Sequence, residues 1–158
     1  MAKYCWYYEY PIGKIGVAET DGYIVGVFFA DGADGSAGGF ELFESETIKK
    51  TARQLEEYFA GERREFDLPL AFTGTEFQNL VWEALMLIPY GETRTYGWIA
   101  AQIGNPKGAR AVGMANNRNP IVVICPCHRV IGKSGGLVGY GGGLPVKKYL
   151  LDLESARR

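Results

Sequence analysis

The sequence predicts a mixed α/β protein of the α+β type, in which a small β-sheet with one helix precedes a mainly helical C-terminal part. Three strand-like segments joined by glycine turns occupy the first 30 residues, and apolar residues at helical spacing dominate after residue 75. The chain has 158 residues, of which 47% are hydrophobic and 22% charged, enough to bury a core. We expect two domains, residues 1–72 and 73–158, joined through the segment Pro69 to Gly74.

The sequence of the N-terminal domain predicts a β-meander followed by one helix. The predicted strands are Lys3 to Tyr10, Ile15 to Thr20 and Tyr23 to Phe29. Asp21-Gly22 is a strong hairpin signal, and residues 31–39 form a glycine-rich loop. A helix is expected from about Ser45 until Gly61 stops it. Its inward face is predicted to hold Ile48, Ala52, Leu55 and Phe59.

Three helices are predicted in the first part of the C-terminal domain. They are Glu76 to Leu87, Tyr96 to Ile103, and Pro106 to about Asn116. The inward face of the first is predicted to be Phe77, Leu80, Val81, Ala84, Leu85 and Ile88. A tight Gly-Asn-Pro connection joins the second and third helices, which is typical of a helix-turn-helix unit whose second helix meets a DNA groove.

The third of these helices carries mostly small residues and a single arginine, Arg110. A helix that reads DNA sequence presents several Arg, Asn or Gln side chains to base edges. If this helix meets DNA, we therefore expect close, sequence-tolerant contact in which Lys and Arg bind phosphates. The alternative is a helix that packs on a neighbour through its small face. The same composition disfavours a regulator that recognises one operator sequence.

The net charge of −1 conceals two halves of opposite sign. Residues 1–92 hold 7 of the 17 basic and 16 of the 18 acidic residues, a net charge of −9, so residues 93–158 carry +8. The basic half has the charge expected for a polyanionic partner. The alternative is a pair of solvated surfaces of opposite sign that attract each other.

The three cysteines favour a reducing compartment, because an odd number in a chain of this size argues against a disulfide framework. The first 30 residues lack the pattern of a signal peptide, and the longest apolar stretches are too short to cross a bilayer. We therefore expect a cytoplasmic protein without a membrane partner.

The strongest chemical signal is Cys127 next to His128, the only histidine of the chain, with Arg129 following. A thiol beside an imidazole and a guanidinium is expected to have a depressed pKa, and the thiolate is the reactive form. Neighbours on a strand point to opposite faces, so cooperation requires a turn, which Pro126 favours, or a bridging water. Glu154, on a C-terminal amphipathic helix, is a candidate to orient the imidazole. The predicted inward residues of that helix are Val146, Leu150 and Leu153.

The Cys-His pair is compatible with roles other than nucleophilic catalysis. A Cys-His dipeptide on its own is usually structural. A metal site is disfavoured, because one histidine and three cysteines, two of them two residues apart, match no zinc spacing. A disulfide between Cys125 and Cys127 is conceivable, although it would be strained and would disable the nucleophile.

Residues 126–130, Pro-Cys-His-Arg-Val, resemble the active-site signature of the O6-alkylguanine-DNA alkyltransferases, also called methylated-DNA–protein-cysteine methyltransferases. Further motifs fall at the spacing of that family over roughly the last eighty residues. They are Glu76 to Gln78, Val81-Trp82, Ile88 to Gly91, Gly104 to Pro106, Ala109 to Gly113, Asn119-Pro120, Gly139-Tyr140 and Val146 through Glu154. The resemblance implies a ribonuclease-H-like N-terminal sheet and a winged helix-turn-helix-type C-terminal domain.

The resemblance also implies DNA repair in which the Cys127 thiolate takes an alkyl group, typically methyl, from O6 of guanine. It leaves O4 of thymine open as a second target. Each molecule is expected to act once, without a cofactor or a metal, because the thioether has no easy hydrolytic exit. By analogy, Glu154 holds His128, which removes the thiol proton through a water. Tyr96 protonates N3 of the departing guanine, and Asn119 braces the turn that carries the cysteine.

The implied partner is double-stranded DNA that contains O6-alkylguanine, bound by a monomer in the minor groove and largely independently of sequence. The target base must leave the stack, and Arg110 would fill the gap. The expected DNA contacts are Tyr96, Gly97, Asn105, Ala109, Arg110 and Lys133. The expected substrate pocket comprises Val130, Tyr140, Gly141 and Gly142.

One position departs from the family pattern. Cys125 stands where the family usually has an aliphatic residue, which places a second thiol near the nucleophile. Members that lack the nucleophilic cysteine only bind lesions. A non-catalytic lesion-binding protein is therefore the alternative function, disfavoured by the presence of Cys127.

Overall fold

The computed structural model describes residues 2–30, 38–137, 139–140 and 142–156. The chain divides into two compact units, residues 1–71 and 72–158. None of the helices in the described residues combines the length and the apolar composition that crossing a membrane requires. Most of the predicted glycine-rich loop, residues 31–37, lies outside the described residues.

The first unit is a four-stranded sheet with one helix. Its elements are β1 (Lys3–Tyr10), β2 (Gly13–Thr20), β3 (Tyr23–Phe29), β4 (Glu41–Leu42) and α1 (Glu46–Phe59). The strand order is β3-β2-β1-β4, with β1, β2 and β3 antiparallel and β4 parallel to β1. The hairpin at Asp21-Gly22 has φ angles of 50° and 87°, which glycine and aspartate tolerate best. The predicted meander is confirmed, and β4 was not predicted because it is only two residues long.

The buried face of α1 differs from the predicted one. It consists of Ile48, Thr51, Gln54, Leu55 and Tyr58. Ala52 and Phe59, predicted to point inward, are only half-buried. Two of the buried residues are polar, and both have backbone hydrogen-bond partners that make their burial tolerable. The Thr51 hydroxyl donates to the Thr47 carbonyl at 2.9 Å, and the Gln54 amide both donates to and accepts from the Asp67 backbone.

The second unit is mainly helical. Its elements are α2 (Glu76–Leu85), β5 (Arg94–Thr95), α3 (Tyr96–Gln102), α4 (Ala109–Asn117), a 3-10 turn (Cys127–Arg129), β6 (Val130–Ile131) and α5 (Leu144–Ala156). β5 and β6 pair in parallel, with Arg94 opposite Val130. The predicted mixed α/β class and the helix-turn-helix pair α3–α4 are confirmed.

Helix boundaries and faces in this unit need three corrections. α2 ends at Leu85, and its Leu80, predicted inward, is 43% exposed, whereas Trp82 is buried and donates from Nε1 to the Ala115 carbonyl at 2.9 Å. α4 begins at Ala109 rather than Pro106, because the chain first forms a turn in which the Gly108 amide donates to the Asn105 carbonyl. The buried residues of α5 are Lys147, Leu150 and Glu154, while Val146 and Leu153 are half-buried.

The start of α2 generates a prediction about stability. The Thr75 hydroxyl accepts from the Gln78 amide at 3.1 Å, and the Gln78 side chain accepts in return from the Thr75 amide at 3.0 Å. Thr75→Ala removes this capping box and is expected to lower the free energy of unfolding by about 1 kcal/mol, measured by urea unfolding. Thr75→Ser, which keeps the hydroxyl, is the matched control. Equal losses in both variants would contradict a stabilising role of the cap.

Candidate active site

A tight turn presents Cys127 and His128 from a completely buried run of the chain. Residues 121–130 are all buried, and the Cys125 amide donates to the Ile121 carbonyl at 2.9 Å. Val123 has a φ of 71°, an uncommon conformation for a β-branched residue. Beyond Pro126 the chain enters a 3-10 turn at Cys127–Arg129. The turn that the Cys127–His128 pair was predicted to need is therefore present.

Two asparagine side chains hold this turn. Asn119 donates from Nδ2 to the Cys125 carbonyl at 2.7 Å and accepts at Oδ1 from the Ile121 amide at 3.0 Å. Asn116, buried at the end of α4, donates to the Cys127 carbonyl at 3.4 Å. Asn119, which was expected to brace the turn, thus contacts it at the carbonyl of Cys125, two residues before the nucleophile.

A buried carboxylate lies against the imidazole. His128 Nε2 is 2.7 Å from Glu154 Oε2, and the two side chains are 0% and 1% exposed. The same carboxylate accepts from Arg129 Nε at 2.8 Å, from the terminal Arg129 nitrogen at 3.0 Å and from the Gly91 amide at 3.2 Å. Although burial opposes ionisation, the hydrogen bonds from His128 and Arg129 and the charge of Arg129 hold the pKa of Glu154 below its usual range.

The carboxylate fixes the state of His128. An ionised carboxylate only accepts hydrogen bonds, so Nε2 carries the proton and Nδ1 is left as the basic nitrogen. Nδ1 is buried, and it has no hydrogen-bond partner among the described residues. Burial lowers the pKa of His128, and Arg129 and Lys147 act in the same direction against the raising effect of Glu154. The histidine is therefore neutral near pH 7.

The expectation of a depressed pKa for Cys127 is wrong. Burial raises the pKa of this thiol to about 11, and the opposing effects of Asn119, Lys147 and Tyr140 are smaller. The imidazole and guanidinium next to it in sequence are both engaged by Glu154. The resting thiol is therefore protonated at neutral pH, and it needs a base to become a nucleophile.

Two charged residues of the site have contacts that the sequence did not predict: Arg129, expected only to lower the thiol pKa, and Lys147, to which no role was assigned. Arg129 is 8% exposed in the side chain and binds Glu154, and Lys147 is fully buried and donates from Nζ to the Gly139 carbonyl at 3.4 Å. The pKa of Lys147 is lowered by burial, with Cys127 acting in the opposite direction. The seven-residue spacing of Lys147 and Glu154 places both on one face of α5, which was the available signal.

A surface cavity of about 530 Å³ lies beside α3 and α4. It is lined by Thr95, Tyr96, Gly97, Ala109, Arg110 and Lys133. Five of the six expected DNA contacts are thus brought together. The sixth, Asn105, does not line the cavity and lies in the α3–α4 turn. The pKa of Tyr96 is raised by burial and by Cys127, so its hydroxyl is a proton donor at neutral pH.

The expected pocket residues are placed as follows. Val130 is buried at the start of β6, and burial and the neighbouring Cys127 raise the pKa of the Tyr140 hydroxyl. Gly142 is half-buried, and Gly141 lies outside the described residues.

The thiols of the chain are all free, so the conceivable disulfide between Cys125 and Cys127 is not formed. Cys125 donates from Sγ to the Trp82 carbonyl at 3.5 Å. In the part of the chain that the structure describes, no group of three His, Cys, Asp or Glu side chains is arranged to hold a metal ion.

Comparison with known proteins gives consistent matches over nearly the whole chain. Residues 3–72 match the family model "6-O-methylguanine DNA methyltransferase, ribonuclease-like domain", and residues 76–156 match its "DNA binding domain". A methylated-DNA–protein-cysteine methyltransferase of Methanosarcina acetivorans is 53% identical over 150 residues, which cover 94% of this chain and 96% of the relative. The protein of that name from Mycobacterium leprae is 60% identical over 113 residues, covering 72% and 68%.

Solved structures agree with these sequence matches. The crystal structure of Mycobacterium tuberculosis O6-methylguanine methyltransferase is 45% identical, with a TM-score of 0.91 over 99% of this chain and 94% of that one. The structure of the Mycobacterium tuberculosis protein in complex with DNA is 46% identical, with a TM-score of 0.90 over 98% and 94%. With both family domains matched in order along the sequence, this chain belongs to the 6-O-methylguanine DNA methyltransferase family.

Proposed function

We propose that this protein is a methylated-DNA–protein-cysteine methyltransferase, which repairs DNA by irreversible transfer of an alkyl group from O6 of guanine to Cys127. The observation that carries the proposal is the buried arrangement in which Glu154 holds His128 next to the Cys127 turn. Membership of the family and the names of its relatives support the same activity. The intact cysteine favours the enzyme over the lesion-binding alternative.

The site supplies the proton transfers that the reaction needs. With a thiol pKa of about 11, only about one molecule in 10⁴ carries the thiolate at pH 7. Neutral His128 accepts the proton of Cys127 at Nδ1 through a water, while Glu154 stabilises the imidazolium that forms. The sulfur then attacks the alkyl carbon in line, so that the S–C bond forms as the C–O6 bond breaks. Tyr96 supplies a proton to N3 of the departing guanine.

Transfer ends with a thioether at Cys127 and an unmodified guanine. Because a thioether resists hydrolysis, each molecule acts once, and no cofactor takes part. Asn119 keeps the sulfur in place by holding the Cys125 carbonyl. The carbonyls of Cys127 and Val130 accept from the exocyclic amine of the guanine, and Tyr140 and Gly142 shape the pocket.

Duplex DNA is the proposed partner. The lining of the cavity combines small residues with the cations Arg110 and Lys133, which suits close approach to a minor groove. Arg110 is exposed on α4 and replaces the flipped base in the stack. Lys133 binds a phosphate, and Gly97 and Ala109 allow the backbone to approach. We propose that Asn105 contacts the DNA from the α3–α4 turn, beside the cavity. A relative solved in complex with DNA supports this partner.

We also propose a division of labour between the two domains. Residues 1–72 support residues 73–158, which bind DNA and transfer the alkyl group, and one copy of the chain suffices. The free thiols favour a reducing compartment, and we propose a cytoplasmic location.

Alkyl transfer is tested by intact-protein mass spectrometry after incubation with a duplex that contains one O6-methylguanine. We expect a mass gain of one CH₂ unit per molecule, mapped to Cys127, and no gain for Cys127→Ser. Cys125→Ala is the matched control. It is expected to be alkylated like the wild type, because the Cys125 thiol is engaged by the Trp82 carbonyl and takes no part in the proposed transfer. Tight lesion binding without any mass gain would show a lesion-binding protein.

The role of Arg110 is tested by comparing two substrates. Arg110→Ala is expected to slow repair of duplex DNA about tenfold or more, because the gap left by the flipped base is no longer filled. Its reaction with free O6-benzylguanine should stay within about twofold of the wild type, because no base is flipped. Arg118→Ala, which removes an exposed arginine at the end of α4, controls for lost charge. Equal losses of Arg110→Ala on both substrates would refute the proposed role.

A further inference from the structure

The guanidinium group of Arg129 contacts two other segments of the chain, α5 and residues 88–90. Nε and one terminal nitrogen donate to the two oxygens of Glu154, at 2.8 and 3.0 Å. The other terminal nitrogen donates to the Ile88 carbonyl at 2.7 Å, and the group lies 5.7 Å from the centre of the Tyr90 ring. The planar fork of an arginine fits both oxygens of one carboxylate, which a lysine cannot do.

This placement answers an electrostatic problem that the proposed mechanism creates. An ionised carboxylate at 2.7 Å favours the charged form of the histidine it contacts. A protonated His128 cannot accept the proton of Cys127. A second, positive group on the same carboxylate compensates its charge, so that the histidine can be oriented by Glu154 without being protonated.

We propose that Arg129 is a positioning residue that keeps His128 a neutral base, by holding both oxygens of Glu154 and compensating its charge. The inference rests on the proposed function only in taking Cys127 as the group that His128 deprotonates. Arg129 touches neither the substrate nor the sulfur in this role. It acts through Glu154.

The groups around His128 come from three segments. Glu154 and Lys147 face it from α5, Arg129 and Cys127 belong to its own turn, and Tyr140, in the loop before α5, lies near enough to the Cys127 thiol to influence its pKa. Among the charged groups, Glu154 raises the pKa of His128, and Arg129 and Lys147 lower it together with burial. Lys147 donates to the Gly139 carbonyl, whereas Arg129 binds the Glu154 carboxylate directly. Arg129 is therefore the cation that both offsets the charge of Glu154 and fixes the position of its carboxylate.

The single histidine of the chain permits a direct test that does not depend on activity. In protein labelled with ¹³C and ¹⁵N histidine, NMR titration reports the pKa and tautomer of His128 alone. We expect a neutral Nε2–H tautomer in the wild type near pH 7, and a pKa at least about one unit higher in Arg129→Gln. Arg129→Lys, which keeps the charge, should shift the pKa less. Lys148→Gln, which removes an exposed charge of α5, should titrate like the wild type.

A fourth variant separates charge from structural damage. Arg129→Gln combined with Glu154→Gln removes both charges, so the pKa of His128 should return towards or below the wild-type value. If Arg129→Gln does not fold, the comparison of Arg129→Lys with this double variant decides the question. A pKa of His128 that is the same in the wild type and every folded Arg129 variant would overturn the proposal.

The rate of alkylation by free O6-benzylguanine provides a second readout. The deficit of Arg129→Gln should be at least about tenfold larger at pH 6 than at pH 8.5, because its histidine is protonated at the lower pH. A deficit that is the same at both values would indicate structural damage alone and would overturn the proposal. A wild type that does not react with O6-methylguanine in DNA would refute the proposed function, while the NMR titration would still decide the role of Arg129.

Discussion

The site depends on one buried carboxylate. Glu154 is 1% exposed and accepts from His128, from Arg129 and from the Gly91 amide, so it ties α5 to the nucleophile turn and to the segment before β5. An uncompensated buried carboxylate costs several kcal/mol, and removing one partner of such a group is strongly destabilising. The same contacts that make its burial tolerable determine which nitrogen of His128 is basic. Stability and chemistry are therefore set by one interaction.

Burial of the thiol is consistent with an enzyme that reacts once. Cys127 is 3% exposed, and a pKa of about 11 keeps it protonated and unreactive towards solutes at neutral pH. A permanently ionised thiol would be consumed by other electrophiles and oxidants, a loss that a single-turnover protein cannot reverse. In the proposed mechanism, neutral His128 takes the proton of the thiol, so that the sulfur becomes reactive without being permanently ionised.

The sequence was sufficient for features that follow from local chemistry. The meander, the start of α3 at Tyr96 and the turn at Cys127 follow from turn and capping residues that act within a few positions. What it could not supply were properties set by burial and by distant partners. The buried Gln54 of α1 is satisfied by the Asp67 backbone, and the direction of the Cys127 pKa shift depends on desolvation. Neither the partner of Gln54 nor the burial of Cys127 can be predicted from the residues next to them in sequence, because both depend on which distant segments pack around them.

The basic charge of the C-terminal half illustrates the same distinction. The +8 of residues 93–158 predicts a polyanionic partner only if the cations are exposed. Arg129 and Lys147 are buried beside the nucleophile turn, so they are not available for phosphates. Arg110 and Lys133, in contrast, are exposed and line one cavity with small residues. The net charge of the sequence thus adds up two kinds of cation that the fold separates: buried cations at the nucleophile turn, and exposed cations that line a surface cavity.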